Sequence, residues 1–311
     1  MWLKWIPWRW LIRRMARSHG FIDPLALTAR LSRFAQPSEV NQPIELLRAG
    51  IVFHARGLIN TRAIQHNLDW VWPHWIEQQF DPHSVSFIPR AFSITHVNLT
   101  HRNWTAVGLP GLAEYPIVDP RGLVTPRFDG WSLDAWIIPS EGKPLLPSRC
   151  ASVDQELLLN GQLAVKTTAE QDGLKLTELV DVVTDDDHAP HCRIRVQAVT
   201  DVQGVLVISL RPVNPEGVSF IHQIDTQQDG KQWRVNDNAA VTFDPPADRM
   251  RMTHYNVGDV YQKLHEPGEE TQVTCDVGMA TAAAMFDVGP DRPRSVQLTV
   301  PVHEDTDASS V

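Results

Sequence analysis

The residues best suited to chemistry lie between Ile51 and Ile138, where tryptophan alternates with hydrogen-bonding side chains. This stretch holds six of the eleven tryptophans of the 311-residue chain, interleaved with histidine, arginine and asparagine. A flat indole stacks on the C–H face of a sugar ring, while amide and guanidinium groups hydrogen-bond to its hydroxyls. The pattern therefore favours a site for a polar, ring-shaped ligand such as a sugar.

For any single tryptophan the alternative is a structural role, because tryptophan is also ordinary core material. Exposed, contiguous aromatic side chains would support a binding surface, whereas burial of all of them would make the group part of the core. The candidate ligand-binding residues are Trp70, Trp72, Trp75, Arg102, Asn103, Trp104, Asp129 and Trp131.

The sequence carries no recognisable catalytic signature: GxSxG, HExxH, phosphate-loop and dinucleotide patterns are all absent. A glycosidase needs two carboxyl groups about 5–10 Å apart, and Asp119, Asp129 and Asp134 lie in the tryptophan-rich region. Their spacing does not show that any two share a cleft, so no catalytic residue is assigned. No ligand spacing is typical of a metal site, and we expect neither a metal nor another cofactor.

Composition argues against several classes of protein. A net charge of -9 speaks against general nucleic-acid binding, and no apolar run approaches the roughly 18 residues of a membrane span. The three cysteines, Cys150, Cys192 and Cys275, are far apart in sequence and indicate buried free thiols in a reducing compartment. We therefore expect a cytoplasmic protein.

Residues 1–36 are predicted to form a basic, tryptophan-rich helical lead-in. Trp5, Trp8 and Ile12 share one helical face, and arginines at steps of four line another. Such a helix could pack on the chain's own sheet, dock to a partner domain, or lie at a membrane surface through residues 1–20, since Trp and Arg favour headgroups.

Residues 37–302 are predicted to form one large antiparallel β-sandwich, similar to a supersandwich. After Pro147, short strands follow one another with Gly, Pro and Asp at the turns, and no βαβ alternation is present. Before them, residues 61–79 are predicted to be helical, and residues 108–130 to form a long ordered loop. Residues 303–311 are predicted to be an acidic tail or linker.

Three segments, residues 54–80, 90–108 and 116–136, resemble the amino-terminal region of bacterial proteins related to amylo-alpha-1,6-glucosidase, which are glycogen-debranching-like six-hairpin glycosidases. Residues 278–283 and 295–301 resemble the closing strands of the β-sandwich that precedes the catalytic barrel in such enzymes. The resemblance covers most of residues 20–301. It implies that the acid and base carboxylates sit in an (α/α)6 barrel beyond residue 311, so no catalytic residue carries over to this chain.

Three hypotheses follow from these observations. In the first, the chain is a non-catalytic N-terminal module of a glycogen-debranching-like glycoside hydrolase, which scaffolds an (α/α)6 catalytic domain in cis or in trans and binds α-glucan or an oligosaccharide. In the second, it is a stand-alone interaction or membrane-surface protein that uses the N-terminal helix. In the third, it is a complete small enzyme with its site in the 108–136 loop. The first is preferred, because no catalytic constellation is recognisable.

Overall fold

A computed structural model gives the structure of the chain, and the part it describes begins at Gly57 and ends at Val302. Residues from Ala63 onwards form a compact unit of their own. The predicted helical lead-in, the acidic tail and three candidate binding residues (Arg102, Asn103 and Asp129) lie outside the described residues. Within the range 57–302, the residues that are not described are 58, 61, 79, 81–82, 84–103, 113, 128–129, 160–162, 216, 228–229, 237–238 and 269.

The described chain is built mainly from β-strands. Its named helical elements are α1 (His74–Glu77) and two 3-10 turns, Pro147–Arg149 and Val260–Lys263. No helix in this part of the chain is long and apolar enough to cross a membrane. In chain order the strands are β1 (Thr105–Ala106), β2 (Ile117–Val118), β3 (Val124–Thr125), β4 (Ser132–Pro139), β5 (Asp154–Leu158), β6 (Ala164–Gln171), β7 (Leu174–Thr184), β8 (Pro190–Thr200), β9 (Gly204–Arg211), β10 (Val213–Asn214), β11 (Gly217–Val218), β12 (Gln223–Gln227), β13 (Gln232–Val235), β14 (Ala239–Asp244), β15 (Arg249–Thr253), β16 (Gln272–Thr274), β17 (Thr281–Val288) and β18 (Arg294–Pro301).

Two large antiparallel sheets make up the fold. The first has the strand order β1-β2-β3-β4-β9-β17-β15, and the second has the order β16-β12-β13-β14-β18-β8-β7-β6-β5. Side chains alternate along β8: Ile194 and Val196 enter the core between the sheets, while Arg195 and Gln197 face outwards. Trp233, Phe243 and Phe286 add aromatic contacts to the same core. The predicted mainly β, antiparallel sandwich is confirmed.

The part of the first sheet around β4 is covered on both faces, which explains why residues 135–139 of this strand are all apolar. Leu133 and Ile137 pack between the sheets, whereas Trp136 and Ile138 belong to a second apolar cluster on the outer face. Residues 70–78 and the turn Val260–Lys263 cover part of that outer face. A strand that is buried on both sides loses the usual alternation of polar and apolar residues.

Three local predictions have distinct outcomes. Residues 62–66 and His74–Glu77 are helical, but the predicted helix over 61–79 is interrupted at residues 67–73. Pro73 accounts for the end of this interruption, because it disfavours a helical conformation of the residue before it. The predicted loop over 108–130 contains the short strands β2 and β3. The cysteines are buried and free, as expected.

Candidate functional site

A connecting segment, residues 67–78, carries three of the candidate tryptophans onto the outer face of the first sheet. Asn67 organises its start: the side-chain Nδ2 donates to Ala63 O at 2.6 Å, and the main-chain oxygen accepts from Trp72 Nε1 at 2.7 Å. Pro73 then precedes α1, a position where its fixed φ and missing N–H suit the start of a helix. Trp75 is the second residue of α1.

A buried ion pair between Arg211 and Asp259 anchors this segment. Arg211 Nη1 donates to Asp259 Oδ1 at 2.5 Å and Nη2 donates to Oδ2 at 2.7 Å, while the side chains are 1% and 0% exposed. The same two side chains also bind both main-chain polar groups of Val71: Arg211 Nη2 donates to Val71 O at 2.7 Å, and Val71 N donates to Asp259 Oδ2 at 2.8 Å. The guanidinium also lies over the rings of Trp70 and Trp136. The segment is therefore fixed to the sheet at Val71.

Three of the candidate tryptophans, Trp70, Trp72 and Trp131, are packed in the interior of the protein. Trp70 and Trp72 are buried and stack on each other, with ring centroids 5.8 Å apart, and Trp131 is buried in the core between the sheets. None of the three presents a ring face to solvent in the described structure. Direct stacking on a sugar, which the sequence predicts for them, would require these residues to become exposed.

Trp75 and Trp104 instead meet at a cavity of about 220 Å³, which we call the Trp75–Trp104 cavity. At about 30 Å³ per water molecule, it has room for about seven waters, or for one pyranose ring. Trp75 is buried and Trp104 is half-buried. The described residues that line it are His74, Trp75, Gln78, Trp104, Asp119, Pro120, Arg121 and Val153.

One wall of the cavity is the turn between β2 and β3, with the sequence Asp119-Pro120-Arg121-Gly122. Asp119 Oδ1 accepts from the main-chain nitrogens of Arg121 at 2.7 Å and Leu123 at 2.9 Å, and Gly122 N donates to Asp119 O at 3.1 Å. Asp at the first position and Pro at the second are typical of such a turn. Gly122 has a φ of +92°, which favours glycine. The turn holds Arg121 at the cavity.

Arg121 also contacts the opposite wall through His74. Arg121 Nη2 lies 3.2 Å from His74 Nε2, and His74 Nδ1 lies 2.9 Å from Ser148 O. Because a carbonyl oxygen only accepts, Nδ1 carries the imidazole proton, and Nε2 accepts from the guanidinium. The two cavity-lining side chains thus orient each other.

Three buried polar atoms of cavity-lining residues have no hydrogen-bond partner among the described residues. They are two donors, Trp75 Nε1 and Arg121 Nη1, and one acceptor, Gln78 Oε1. An unsatisfied buried polar atom costs about 1–3 kcal/mol, and such atoms are usually satisfied by water or by a bound molecule. The three atoms are covered in the described structure, so a ligand in the cavity would find both donors and an acceptor after a small shift of the neighbouring side chains.

Three buried carboxyl groups lie close enough to influence one another electrostatically. Burial raises the pKa of Asp119 to about 6 and that of Asp134 to about 7, and the charge of Asp119 also raises the pKa of Asp134. Burial, followed by the charges of Asp134 and Asp119, raises the pKa of Glu178 well above its ordinary value. Glu178 was not among the sequence candidates, although a Glu between Leu176 and Val180, at a core-facing position of β7, signals a buried charge.

These carboxyl groups have limited access to a ligand. All three side chains are almost fully buried, and only Asp119 lines the Trp75–Trp104 cavity. Among the described residues no group of three or more His, Cys, Asp or Glu side chains is arranged to hold a metal ion.

A second and larger depression of about 1030 Å³ lies on the outer face of the first sheet, and we call it the outer-face groove. Ile138, Val205 and Met285 contribute apolar surface, and Arg249 and Arg292 are among the charged residues that line it. None of the five sequence candidates that the structure describes lines this groove.

No protein-family model and no curated protein matches the sequence. Among solved structures, a bacterial glucoamylase complexed with acarbose matches with 11% identity and a TM-score of 0.43, covering 63% of this chain and 31% of that chain. The 4-alpha-glucanotransferase from Thermococcus litoralis matches with 11% identity and a TM-score of 0.34, covering 81% and 49%. The present chain thus spans less than two thirds of either protein, and both are carbohydrate-active enzymes.

Proposed function

We propose that this protein is a sugar-binding β-sandwich module of a glycoside-hydrolase-like protein, and that the Trp75–Trp104 cavity receives one unit of an α-glucan or oligosaccharide. The observation that carries the proposal is the cavity itself, which combines two indoles with two unsatisfied donors and one unsatisfied acceptor. Indole faces and hydrogen-bonding groups are what recognition of a pyranose ring requires.

The residues that line the cavity are held in place by hydrogen bonds, which favours a binding site over a packing defect. His74, Trp75 and Gln78 follow the Val71 anchor within a few residues, and Arg121 is held by the turn hydrogen bonds of Asp119. A binding site whose walls are held before the ligand arrives loses less conformational entropy on binding.

The module is proposed to be non-catalytic. Asp119, the carboxyl group at the cavity, already accepts two main-chain hydrogen bonds that shape the turn, and Asp134 and Glu178 do not line the cavity. This agrees with the sequence resemblance to the sandwich that precedes the barrel of glycogen-debranching-like glycosidases. Catalysis would then belong to an (α/α)6 domain in cis or in trans, in the cytoplasm.

Isothermal calorimetry of the chain against maltooligosaccharides tests the sugar-binding proposal. Trp104→Ala should weaken binding at least about tenfold, equivalent to about 1.4 kcal/mol, because it removes a half-buried stacking face. Phe220→Ala is the matched control, since Phe220 is 46% exposed and does not line the cavity. Absence of binding at millimolar sugar, or equal effects of the two variants, would contradict the proposal.

A scaffolding role is the second part of the proposal, and the outer-face groove is the observation that favours it. A catalytic domain seated there would bury the partly exposed Val205 and cover the charged Arg249 and Arg292. Co-purification with a candidate (α/α)6 domain measures this, using Arg292→Glu in the groove and Arg234→Glu, exposed on β13, as the control. Unchanged co-purification of Arg292→Glu would speak against the groove as the docking site.

A further inference from the structure

Arg121 is a half-buried cation that forms no ion pair with a carboxylate among the described residues. Other buried or half-buried arginines contact acids: Arg211 meets Asp259 at 2.5 Å, and Arg193 meets Asp181 at 2.6 Å. Among the described residues, no carboxylate oxygen lies within 4.0 Å of the Arg121 side chain. Guanidinium stays charged in proteins, and a charge that is removed from water without a partner is costly. A bound anion would therefore stabilise the charge of Arg121.

The guanidinium end of Arg121 lies at the wall of the Trp75–Trp104 cavity. Its Nη2 contacts His74 Nε2, and His74 also lines the cavity. Nη1, bonded to the same carbon atom, has no partner among the described residues. His74 contacts one terminal nitrogen only, and Nη1 is unpaired but covered, so a ligand would reach it after a small shift of the neighbouring side chains.

The groups that surround Arg121 compensate its charge only in part. Asp119 is the nearest acid by its electrostatic influence, but it forms no ion pair with Arg121, and its Oδ1 accepts hydrogen bonds from two main-chain amides. Cys150 also influences Arg121, and burial raises the pKa of this thiol, which keeps it neutral. Ser148 O, which orients His74 by accepting its hydrogen bond, is a neutral carbonyl oxygen. A negatively charged oxygen on a ligand would be the strongest partner for Nη1, because charge-assisted hydrogen bonds are roughly twice as strong as neutral ones.

We infer that the Trp75–Trp104 cavity selects sugars that carry an oxyanion, such as a sugar carboxylate or a sugar phosphate, and that Arg121 binds this group. The inference rests on the proposed sugar-binding function and specifies its ligand class. Trp104 stacks on the ring and Trp75 forms part of the wall beside it, while Arg121 Nη1 donates to the anionic oxygen. A neutral sugar occupies the same cavity but leaves the guanidinium without a counter-ion.

Calorimetric titrations of the full chain with glucose, glucuronate, glucose 1-phosphate and inorganic phosphate test the inference. At low ionic strength, at least one anionic sugar should bind about tenfold more tightly than glucose, and Arg121→Gln should abolish this difference, so that anionic and neutral sugars bind this variant equally. Arg121→Lys should keep part of the preference, because the charge is retained without the planar donor pair. Arg292→Gln, an exposed arginine in the outer-face groove, is the matched control and should change nothing.

The outcomes separate the two proposals. Equal affinity of the wild type for glucose and both anionic sugars overturns the inference but leaves the sugar-binding function standing. Absence of binding by all sugars overturns both. Binding of inorganic phosphate as tight as that of glucose 1-phosphate overturns sugar selection and indicates a bare anion site. The wild-type comparisons decide the matter even if Arg121→Gln fails to fold.

Discussion

Arg211 on β9 and Asp259, which precedes the turn Val260–Lys263, form a buried bidentate ion pair that also binds both main-chain polar groups of Val71. Neither side chain lines the Trp75–Trp104 cavity. They nevertheless determine where its wall stands, because the chain runs from Val71 directly into α1. Residues remote from the ligand thus position the residues that would contact it.

Asp259→Asn should lower the free energy of unfolding by roughly 3–5 kcal/mol, because it leaves the buried Arg211 charge without its partner. Urea denaturation measures the change. Asp287→Asn is the matched control: the Arg249–Asp287 pair is 47% and 49% exposed, so its loss should cost about 1 kcal/mol or less. Similar losses in both variants would show that the buried pair does not anchor the segment.

Asp134→Asn should stabilise the protein more at pH 8 than at pH 5. The pKa of Asp134 is about 7 in the folded protein, against an ordinary value of 3.8. Between these values the folded state holds a proton that the unfolded state has lost, so the free energy of unfolding falls as the pH rises through this window. Asn does not ionise, so the gain in the free energy of unfolding caused by Asp134→Asn should be roughly 2–3 kcal/mol larger at pH 8 than at pH 5.

Urea denaturation of the wild type and of Asp134→Asn at both pH values provides the measurement. The exposed Asp154, replaced by Asn, serves as the control and should show no difference between the two pH values. A pH-independent effect of Asp134→Asn would mean that this carboxyl group ionises normally in the folded state.

Binding of glucuronate should be several-fold tighter at pH 5 than at pH 7.5, whereas binding of glucose should not change. Burial raises the pKa of Asp119 to about 6, so above pH 6 its negative charge offsets that of Arg121 and repels an anionic ligand. Calorimetry at the two pH values measures the effect. Asp119→Asn keeps an oxygen that can accept the turn hydrogen bonds, and it should remove the pH dependence. Persistence of the dependence in this variant would assign it to another group.

Gly122→Ala should destabilise the protein by roughly 1–3 kcal/mol, since its φ of +92° strains any residue with a Cβ and the added Cβ would lie 3.3 Å from Glu178 Oε1 and Thr167 Cγ2. Gly142→Ala is a close control, because Gly142 has a φ of +100° but no neighbour within 4 Å. The difference between their melting temperatures measures crowding at the turn. A smaller loss for Gly122→Ala than for Gly142→Ala would exclude such crowding.

Much of the fold can be predicted from the sequence, because alternation such as that of β8 follows directly from the pleat of a strand. The residue types of the cavity can be predicted in part: Trp75 and Trp104 belong to the candidate group. Arg121 falls within the predicted loop over residues 108–130, and no local pattern distinguishes it as a binding residue. Trp70 and Trp72 have the same local composition as Trp75, but the segment that carries them is fixed at Val71 by residues far along the chain, Arg211 and Asp259. Local sequence patterns contain no information about such distant partners.

The hydrogen bonds at Val71 also determine when, during synthesis, the cavity can form. Val71 N and Asp259 Oδ2 are separated by 188 positions along the chain, so their hydrogen bond can close only after most of both sheets has been synthesised. Contacts of such long range form slowly and late. A nascent chain that is interrupted before residue 259 should therefore contain tryptophan-rich surface without a finished cavity, and it would be the form most exposed to aggregation and proteolysis.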